Sequence, residues 1–243
     1  MREQAEQILS LVDLTTLNNN DSGADISQLC EKASIGKNTV AALCVFPEWV
    51  FKTQQELAKR DLQIPVATVT NFPEGHADVA RAVAETERAL AVGADEIDVV
   101  LPYQNLLQED EKKPAELVKQ VKQVCEGRAK LKVIIESGQL MHSDLIRRAS
   151  EIAITEGADF IKTSTGKVKV NATLQAAEVM LQTIKESGSS CGFKAAGGIK
   201  TLDQAQQYVA IATRLLGADW VKASHFRIGA SSLVDDLKQQ LSE

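Results

Sequence analysis

The sequence predicts a closed (β/α)8 barrel of the α/β class, preceded by a short N-terminal helix. Eight short β-prone runs recur along the chain, at 11–17, 40–46, 65–72, 95–102, 130–137, 159–165, 191–197 and 219–224. The longer segments between them carry apolar residues at three- and four-residue steps, as amphipathic helices do. A strand followed by a helical crossover implies a parallel sheet, and eight such units in 243 residues favour a closed barrel.

The domain organisation follows from the same alternation. No Pro/Gly/Ser-rich linker or low-complexity stretch divides the chain, so we expect one domain over residues 1–243. A doubly wound open sheet is the structural alternative. No GxGxxG motif follows an early strand to support dinucleotide binding in such a sheet.

Composition narrows the function classes. The formal net charge of −6 argues against nonspecific binding to nucleic acid or to an anionic membrane, although a local cationic pocket is compatible with it. The N-terminal segment MREQAEQILSLVDL lacks the apolar run of a signal peptide, so we expect a cytoplasmic protein. The four cysteines have no metal-ligand spacing and are expected to be reduced thiols, at Cys30, Cys44, Cys125 and Cys191.

An internal repeat gives positional information. Gly-Ala-Asp occurs three times, beginning at Gly93, Gly157 and Gly217, and each copy is expected to close a helix and open a strand. The fifth residue after the glycine is ionisable each time: Asp98, Lys162 and Lys222. Matching positions in matching strands point the same way, so Asp98 and Lys162 are expected to face the barrel interior together. The role of Lys222 is left open.

Two lysines stand in apolar, β-prone runs, Lys162 in ADFIKTSTGK and Lys194 in CGFKAAGG. Burial of an unpaired ammonium is costly, so such lysines need an ion partner or a catalytic role. A lysine becomes a nucleophile when burial or a neighbouring cation lowers its pKa. A buried ion pair between Asp98 and Lys162 is the structural alternative.

Three glycine- and serine-containing loops follow the last predicted strands: STGK at 164–167, AAGGIK at 195–200 and RIGASS at 227–232. Backbone N–H groups, hydroxyls and a following helix N-terminus suit an oxyanion there, and the last loops of such barrels often bind phosphate. Each loop alone could equally be an ordinary turn or helix cap. STGK is not a Walker motif, because the first glycine of that motif is absent.

Seven motifs together resemble the 2-deoxyribose-5-phosphate aldolase family of class I aldolases: DLTTLN, TVTNFPEG, GADEIDVVLPY, LKVIIESG, ADFIKTSTGK, GFKAAGGI and HFRIGASSL. The resemblance runs from about Leu11 to about Leu237. It implies that Lys162 forms a Schiff base, that Lys194 is the neighbouring cation, and that Asp98 transfers protons. It further implies reversible cleavage of a sugar phosphate without metal or cofactor, and a possible homodimer.

The resemblance also assigns binding residues. The phosphate would lie against Gly166, Lys167, Gly197, Gly198, Gly229, Ser231 and Ser232. Substrate contacts would involve Asp13, Thr15 and Lys132, although Asp13 could be a turn residue and Lys132 could form a structural salt bridge. Another Schiff-base aldolase or transaldolase, or a noncatalytic sugar-phosphate-binding barrel, is the alternative.

Overall fold

A computed structural model of the protein describes residues 2–242. Eight parallel strands close into a barrel, in which each strand pairs with the next and the last pairs with the first. They are β1 (Val12–Thr15), β2 (Ala42–Val45), β3 (Val66–Thr70), β4 (Glu96–Val100), β5 (Lys130–Ile134), β6 (Phe160–Lys162), β7 (Gly192–Ala196) and β8 (Phe226–Ala230). The predicted fold class is confirmed.

Helices surround this barrel and bury their apolar faces against it. They are α1 (Arg2–Leu9), α2 (Gly23–Glu31), α3 (Val50–Ala58), α4 (Val79–Ala91), α5 (Tyr103–Leu107), α6 (Lys112–Cys125), α7 (Ser137–Leu140), α8 (Ser143–Thr155), α9 (Leu174–Ser187), α10 (Leu202–Leu216) and α11 (Leu233–Ser242). A two-stranded hairpin, Ser34–Ile35 with Asn38–Thr39, lies between α2 and β2. None of the helices within residues 2–242 has the length and apolar character needed to cross a membrane.

The first two Gly-Ala-Asp copies have a structural explanation. Gly93 and Gly157 adopt φ values of 96° and 90°, which glycine tolerates after a helix. Asp95 then accepts a hydrogen bond from the backbone N–H of Val66 at 2.8 Å, and Asp159 accepts one from that of Leu131 at 2.7 Å. Each aspartate therefore fixes the start of its own strand against the start of the preceding strand.

The prediction for the eighth strand was wrong. The segment 219–224 does not pair in the barrel: Ala218–Trp220 forms a 3-10 helix, and the closing strand is β8. DWVKAS has the local propensity of a strand, but closure requires a segment that pairs with both β7 and β1, and local propensity yields to that tertiary pairing. Lys222 is consequently exposed and shares no register with Asp98.

The same correction moves part of the predicted RIGASS loop. Residues 227–230 belong to β8, so Gly229 is a strand residue and only Ser231 and Ser232 follow the strand before α11. The predicted loop 164–167 follows β6, whereas the first two residues of the predicted loop 195–200 belong to β7 and the rest follow it.

Side-chain alternation divides the barrel strands into two faces. In β4, Ile97 and Val99 join the apolar core between barrel and helices, whereas Glu96 and Asp98 point into the barrel. The barrel interior therefore carries charged side chains beside β4. Phe160 fills the barrel beside Gly192, where a Cβ atom would approach its ring to 2.5 Å.

Candidate active site

A cluster of three lysines surrounds one carboxylate inside the barrel. Asp98 Oδ2 lies 2.8 Å from the ammonium nitrogens of both Lys162 and Lys194, and Asp98 Oδ1 lies 2.6 Å from that of Lys132. All four side chains are buried. Lys162 donates a hydrogen bond to Asp98. The prediction from the repeat that these two side chains face inward together agrees with this contact.

Strand register explains why these residues converge. Asp98 is the direct neighbour of Lys132 across β4 and β5, and Lys162 is the direct neighbour of Lys194 across β6 and β7. Parallel strands place matched residues at the same height, and two-residue alternation turns them inward. Across β5 and β6 the register is offset by two residues, because Lys132 pairs with Phe160 and Lys162 with Ile134, which keeps both lysines on the interior face. The site therefore joins two matched pairs on four adjacent strands, linked through Asp98.

Two further carboxylates and an arginine extend the cluster. Asp13 Oδ2 contacts the Lys194 ammonium, and its Oδ1 lies 2.6 Å from Arg227 Nη1. Glu96 lies 3.0 Å from Arg227 Nη2 and 2.6 Å from Lys132 Nζ. Sequence analysis missed Glu96 and Arg227, although each stands two residues before an assigned site residue, Asp98 or Gly229, and so shares its face of the strand.

The surroundings of Lys162 and Lys194 shift their pKa values in opposite directions. Burial lowers the pKa of Lys162, Asp98 opposes this shift, and the neighbouring Lys194 cation lowers the pKa further, so the net direction is downward. Burial also acts to lower the pKa of Lys194, but Asp13 and Asp98 outweigh it and the net direction is upward. Lys162 is therefore the amine that loses its proton more easily.

Asp98 and Lys132 stay charged. Burial acts to raise the pKa of Asp98, but Lys132, Lys162 and Lys194 outweigh it and hold the pKa well below its usual range. Burial likewise acts to lower the pKa of Lys132, and Asp98 and Glu96 reverse that effect, so its pKa is raised. The site thus places an ionised carboxylate, Asp98, beside one amine of lowered pKa, that of Lys162.

A cavity of about 270 Å³ opens above Lys162 at the carboxyl ends of the strands. Every residue that the sequence assigned to phosphate lines it: Gly166, Lys167, Gly197, Gly198, Gly229, Ser231 and Ser232. Lys200 lies in the same wall, and α11 begins directly after the two serines. Cationic side chains, hydroxyls and a helix N-terminus together suit an anionic group. A larger groove, lined by residues such as Gln54 and Leu57, lies apart from these lysines.

The three residues assigned to substrate contacts occupy different places. Thr15 lines the cavity and donates its hydroxyl to the Asp13 carbonyl at 2.8 Å. Asp13 and Lys132 are fully buried and do not line the cavity. Their ionic contacts are with Lys194, Arg227, Glu96 and Asp98, beneath the cavity floor.

The loop after β6 is held by a buried carboxyl. Glu136, at a left-handed φ of 54°, accepts a hydrogen bond from the Thr165 hydroxyl at 2.6 Å, and burial raises its pKa. The Thr165 oxygen accepts in turn from the backbone N–H of Lys167 at 3.0 Å. The Lys167 ammonium donates to the Leu17 carbonyl across the cavity mouth. Glu136 thereby fixes the backbone that presents Gly166 and Lys167.

Gly229 makes room for the second lysine. A Cβ atom at this position would lie 3.0 Å from Lys194 Cε and 3.1 Å from Ala196 Cβ. The absent side chain therefore lets the stem of Lys194 pass β8 on its way to Asp98.

This arrangement is suited to covalent catalysis by an amine. It combines a nucleophile candidate of lowered pKa, a permanent neighbouring cation, a carboxylate within hydrogen-bond distance and an anion-binding wall. A carbonyl compound bearing an anionic group is the class of ligand that fits these parts.

Solved structures with the same fold include three that are described as deoxyribose-phosphate aldolases. A provisionally assigned deoxyribose-phosphate aldolase from Coccidioides immitis is 28% identical, with a TM-score of 0.85 and coverage of 97% of this chain and 86% of that chain. One from Toxoplasma gondii ME49 is 23% identical, with a TM-score of 0.90 and coverage of 99% and 95%. The deoxyribose phosphate aldolase from Aeropyrum pernix, described as a unique tetrameric structure, is 24% identical, with a TM-score of 0.79 and coverage of 100% and 97%.

A family model provides the classification. The model described as DeoC/LacD family aldolase matches residues 7–239, which is nearly the whole chain. Aldolases are lyases that act on carbon–carbon bonds. The chain therefore belongs to the DeoC/LacD family of aldolases and is an enzyme of the lyase class.

Proposed function

We propose that this enzyme cleaves 2-deoxy-D-ribose 5-phosphate reversibly to D-glyceraldehyde 3-phosphate and acetaldehyde through a Schiff base on Lys162. One observation carries the proposal: of the three lysines around Asp98, the one of lowered pKa, Lys162, is the one that lines the cavity. The solved relatives described as deoxyribose-phosphate aldolases support the choice of substrate.

The first step is attack of the neutral Lys162 amine on the aldehyde carbon of the open-chain sugar. Lys194 remains a cation and disfavours protonation of Lys162, which increases the fraction of the enzyme that carries the reactive neutral amine. Asp98, in contact with both ammonium nitrogens, is assigned the proton transfers that convert the carbinolamine to the iminium with loss of water.

Cleavage then uses the iminium as the electron sink. The electron pair of the bond between C2 and C3 moves toward the iminium nitrogen and forms an enamine. The C3 hydroxyl loses its proton as that carbon becomes the aldehyde of glyceraldehyde 3-phosphate. Protonation of the enamine carbon and hydrolysis of the resulting iminium release acetaldehyde and regenerate the Lys162 amine.

The phosphate group would bind in the cavity wall formed by the loops after β6, β7 and β8. Lys167 supplies a cation, the serines supply hydroxyls, and the glycines allow close approach to backbone N–H groups. Binding energy from this remote group positions the aldehyde over Lys162. Asp13, Thr15 and Lys132 are the residues we assign to substrate orientation, the first and last of them through Lys194 and Asp98.

The proposal extends to assembly. We propose that the chain forms a single domain over residues 1–243 and a homo-oligomer, which the tetramer of the Aeropyrum pernix relative supports and which includes the homodimer expected from the sequence. The cytoplasmic location stays a prediction from the sequence.

Borohydride trapping tests the chemistry directly. The enzyme is incubated with acetaldehyde, reduced, digested and analysed by peptide mass spectrometry. An ethyl adduct on Lys162 is expected, and it should be absent in Lys162→Ala and present in the control Lys222→Ala, which alters an exposed lysine. Turnover of 2-deoxyribose 5-phosphate with labelling confined to other lysines would contradict the assignment, and faster cleavage of a ketose phosphate would contradict the substrate.

A further inference from the structure

The ionic cluster inside the barrel contains one more cation than anion. Its carboxylates are Asp13, Glu96 and Asp98, and its cations are Lys132, Lys162, Lys194 and Arg227. None of these side chains is more than 4% exposed, so solvent compensates little of the excess. The cluster is electrically neutral when Lys162 is the uncharged amine.

Two members of the cluster, Arg227 and Glu96, contact neither the cavity nor Lys162. The Arg227 guanidinium bridges Asp13 at 2.6 Å and Glu96 at 3.0 Å, donates to the Ala223 carbonyl, and lies 5.5 Å from the centre of the Phe160 ring. Glu96 completes the chain of contacts through Lys132 at 2.6 Å. The planar fork of arginine fixes both carboxylates at once.

We propose that Arg227 and Glu96 are positioning residues of the aldolase reaction: together they hold Asp13 and Lys132, which in turn fix Lys194 and Asp98 against Lys162. This inference rests on the proposed function of Lys162. It also assigns each member of the pair its own effect on the pKa of Lys162, because one is a buried cation and the other a buried anion.

A purely structural role is a weaker explanation of the pair. Burial of charged groups is costly, and well-packed apolar residues of similar volume often serve stability as well or better. Arg227 and Glu96 differ from a closed pair because each shares its partner with the reactive centre: Asp13 also contacts Lys194, and Lys132 also contacts Asp98. Their charges therefore act on the same cluster as the Lys162 amine.

Several charged or titratable groups surround Lys162. Asp98 contacts Lys162 directly, and Lys194 contacts the same oxygen atom of Asp98. The other charged members of the cluster are linked through these two residues, and Cys44 on β2 and Glu136 after β5 complete the set. Removal of the Arg227 charge removes a repelling cation, which favours protonated Lys162. Removal of the Glu96 charge removes an attracting anion, which favours the neutral amine.

The test is the pH profile of kcat/KM, measured for the wild type, Arg227→Gln, Glu96→Gln and the double variant. The acidic limb, where Lys162 loses its proton, should move to higher pH by about one unit in Arg227→Gln and to lower pH by about one unit in Glu96→Gln. In the double variant the two charge changes cancel, so its acidic limb should return to within about 0.3 units of the wild type.

Arg227→Lys separates charge from geometry. This variant keeps the positive charge but loses the fork, so the acidic limb should stay in place while kcat falls about tenfold. Thermal unfolding of each variant identifies any that fails to fold. If Arg227→Gln fails to fold, the shifted acidic limb of Glu96→Gln and the unshifted limb of Arg227→Lys still decide the question.

Profiles that leave the acidic limb unchanged in the folded charge variants, or that shift in the same direction in both, would overturn the inference. The pH dependence of the single-turnover rate of borohydride-trapped adduct formation on Lys162 provides a second readout and should show the same opposite shifts. Absence of a Lys162 adduct in the wild type would instead overturn the proposed function. A wild-type adduct combined with unshifted variants would overturn this inference alone.

Discussion

Among residues 2–242, two clusters can be compared in which three cations contact a central carboxylate. Inside the barrel, Asp98 contacts Lys132, Lys162 and Lys194 at 2.6–2.8 Å. On α3, Glu56 contacts Lys52, Lys59 and Arg60 at 2.6–2.9 Å. Each central carboxylate contacts three cations, but the barrel cluster also contains Asp13, Glu96 and Arg227, and its cations are far less accessible to water.

The exposure of the cations to water differs between the two clusters, and so do the groups whose pKa is lowered. The cations around Glu56 expose 36%, 63% and 30% of their side chains, and those around Asp98 expose 0%, 4% and 0%. Hydrogen bonds from Lys59, Lys52 and Arg60 lower the pKa of Glu56, which is the ordinary behaviour of an ion-paired carboxylate. Within the barrel, burial lowers the pKa of Lys162, which is the proposed nucleophile.

Truncation of one lysine in each cluster should give the largest contrast. Lys162→Ala removes the proposed nucleophile, so kcat/KM should fall at least about 1,000-fold. Lys59→Ala removes an exposed cation of the Glu56 cluster and should leave kcat/KM within about twofold. Steady-state assays of aldehyde release check both values, and comparable losses in the two variants would contradict the comparison.

Neutralisation of the central carboxylate should give the next largest contrast. Asp98→Asn cannot accept a proton and leaves three buried cations with one anion fewer, so kcat should fall about 100-fold and the melting temperature should fall as well. Glu56→Gln should retain wild-type kcat. Turnover assays and thermal melts check both, and a wild-type kcat in folded Asp98→Asn would contradict the assigned role.

Replacement of the neighbouring cation should change the pH dependence. The Lys194 cation lowers the pKa of Lys162, so Lys194→Leu should raise that pKa, move the acidic limb of kcat/KM to higher pH and reduce kcat/KM at pH 7 about tenfold or more. Lys52→Leu should leave the profile in place. An unshifted limb in Lys194→Leu would show that Lys194 does not act through the charge of Lys162.

Replacement of a cavity lysine should have the smallest effect. Lys167→Met removes a cation from the proposed phosphate wall, so KM for 2-deoxyribose 5-phosphate should rise about tenfold, with little change in kcat. Kinetics with unphosphorylated 2-deoxyribose should be unaffected. Lys169→Met, which alters an exposed lysine outside the cavity, is the matched control. Equal losses on both substrates would place Lys167 elsewhere in the mechanism.

Much of the fold could be predicted because the barrel repeats one local pattern. Seven of the predicted strands overlap observed ones, and the Gly-Ala-Asp repeat correctly placed Asp98 and Lys162 on one interior face. The third repeat misled because Gly217 leads into a 3-10 helix. Sequence alone does not reveal which of two neighbouring β-prone segments, 219–224 or β8, pairs on both sides.

The residues that line the cavity could be predicted from the sequence, whereas two members of the ionic cluster beneath it were missed. The glycine and serine loops are local signals, and every residue assigned to phosphate lines the cavity. Arg227 lies on β8, and only closure of the barrel brings it to Asp13 on β1 and to Glu96 on β4. Charged residues two positions from an assigned site residue deserve examination in barrels of this kind.

Gly229 offers a way to change the chemistry without touching a charged group. Its φ lies outside the left-handed region, so the backbone itself would accept alanine there. The added methyl group would press on the Lys194 stem and on Ala196, and a displacement of a few tenths of an ångström at Cε would be carried to the ammonium. The absent side chain of Gly229 thus controls where the Lys194 stem lies, although Gly229 itself carries no charge.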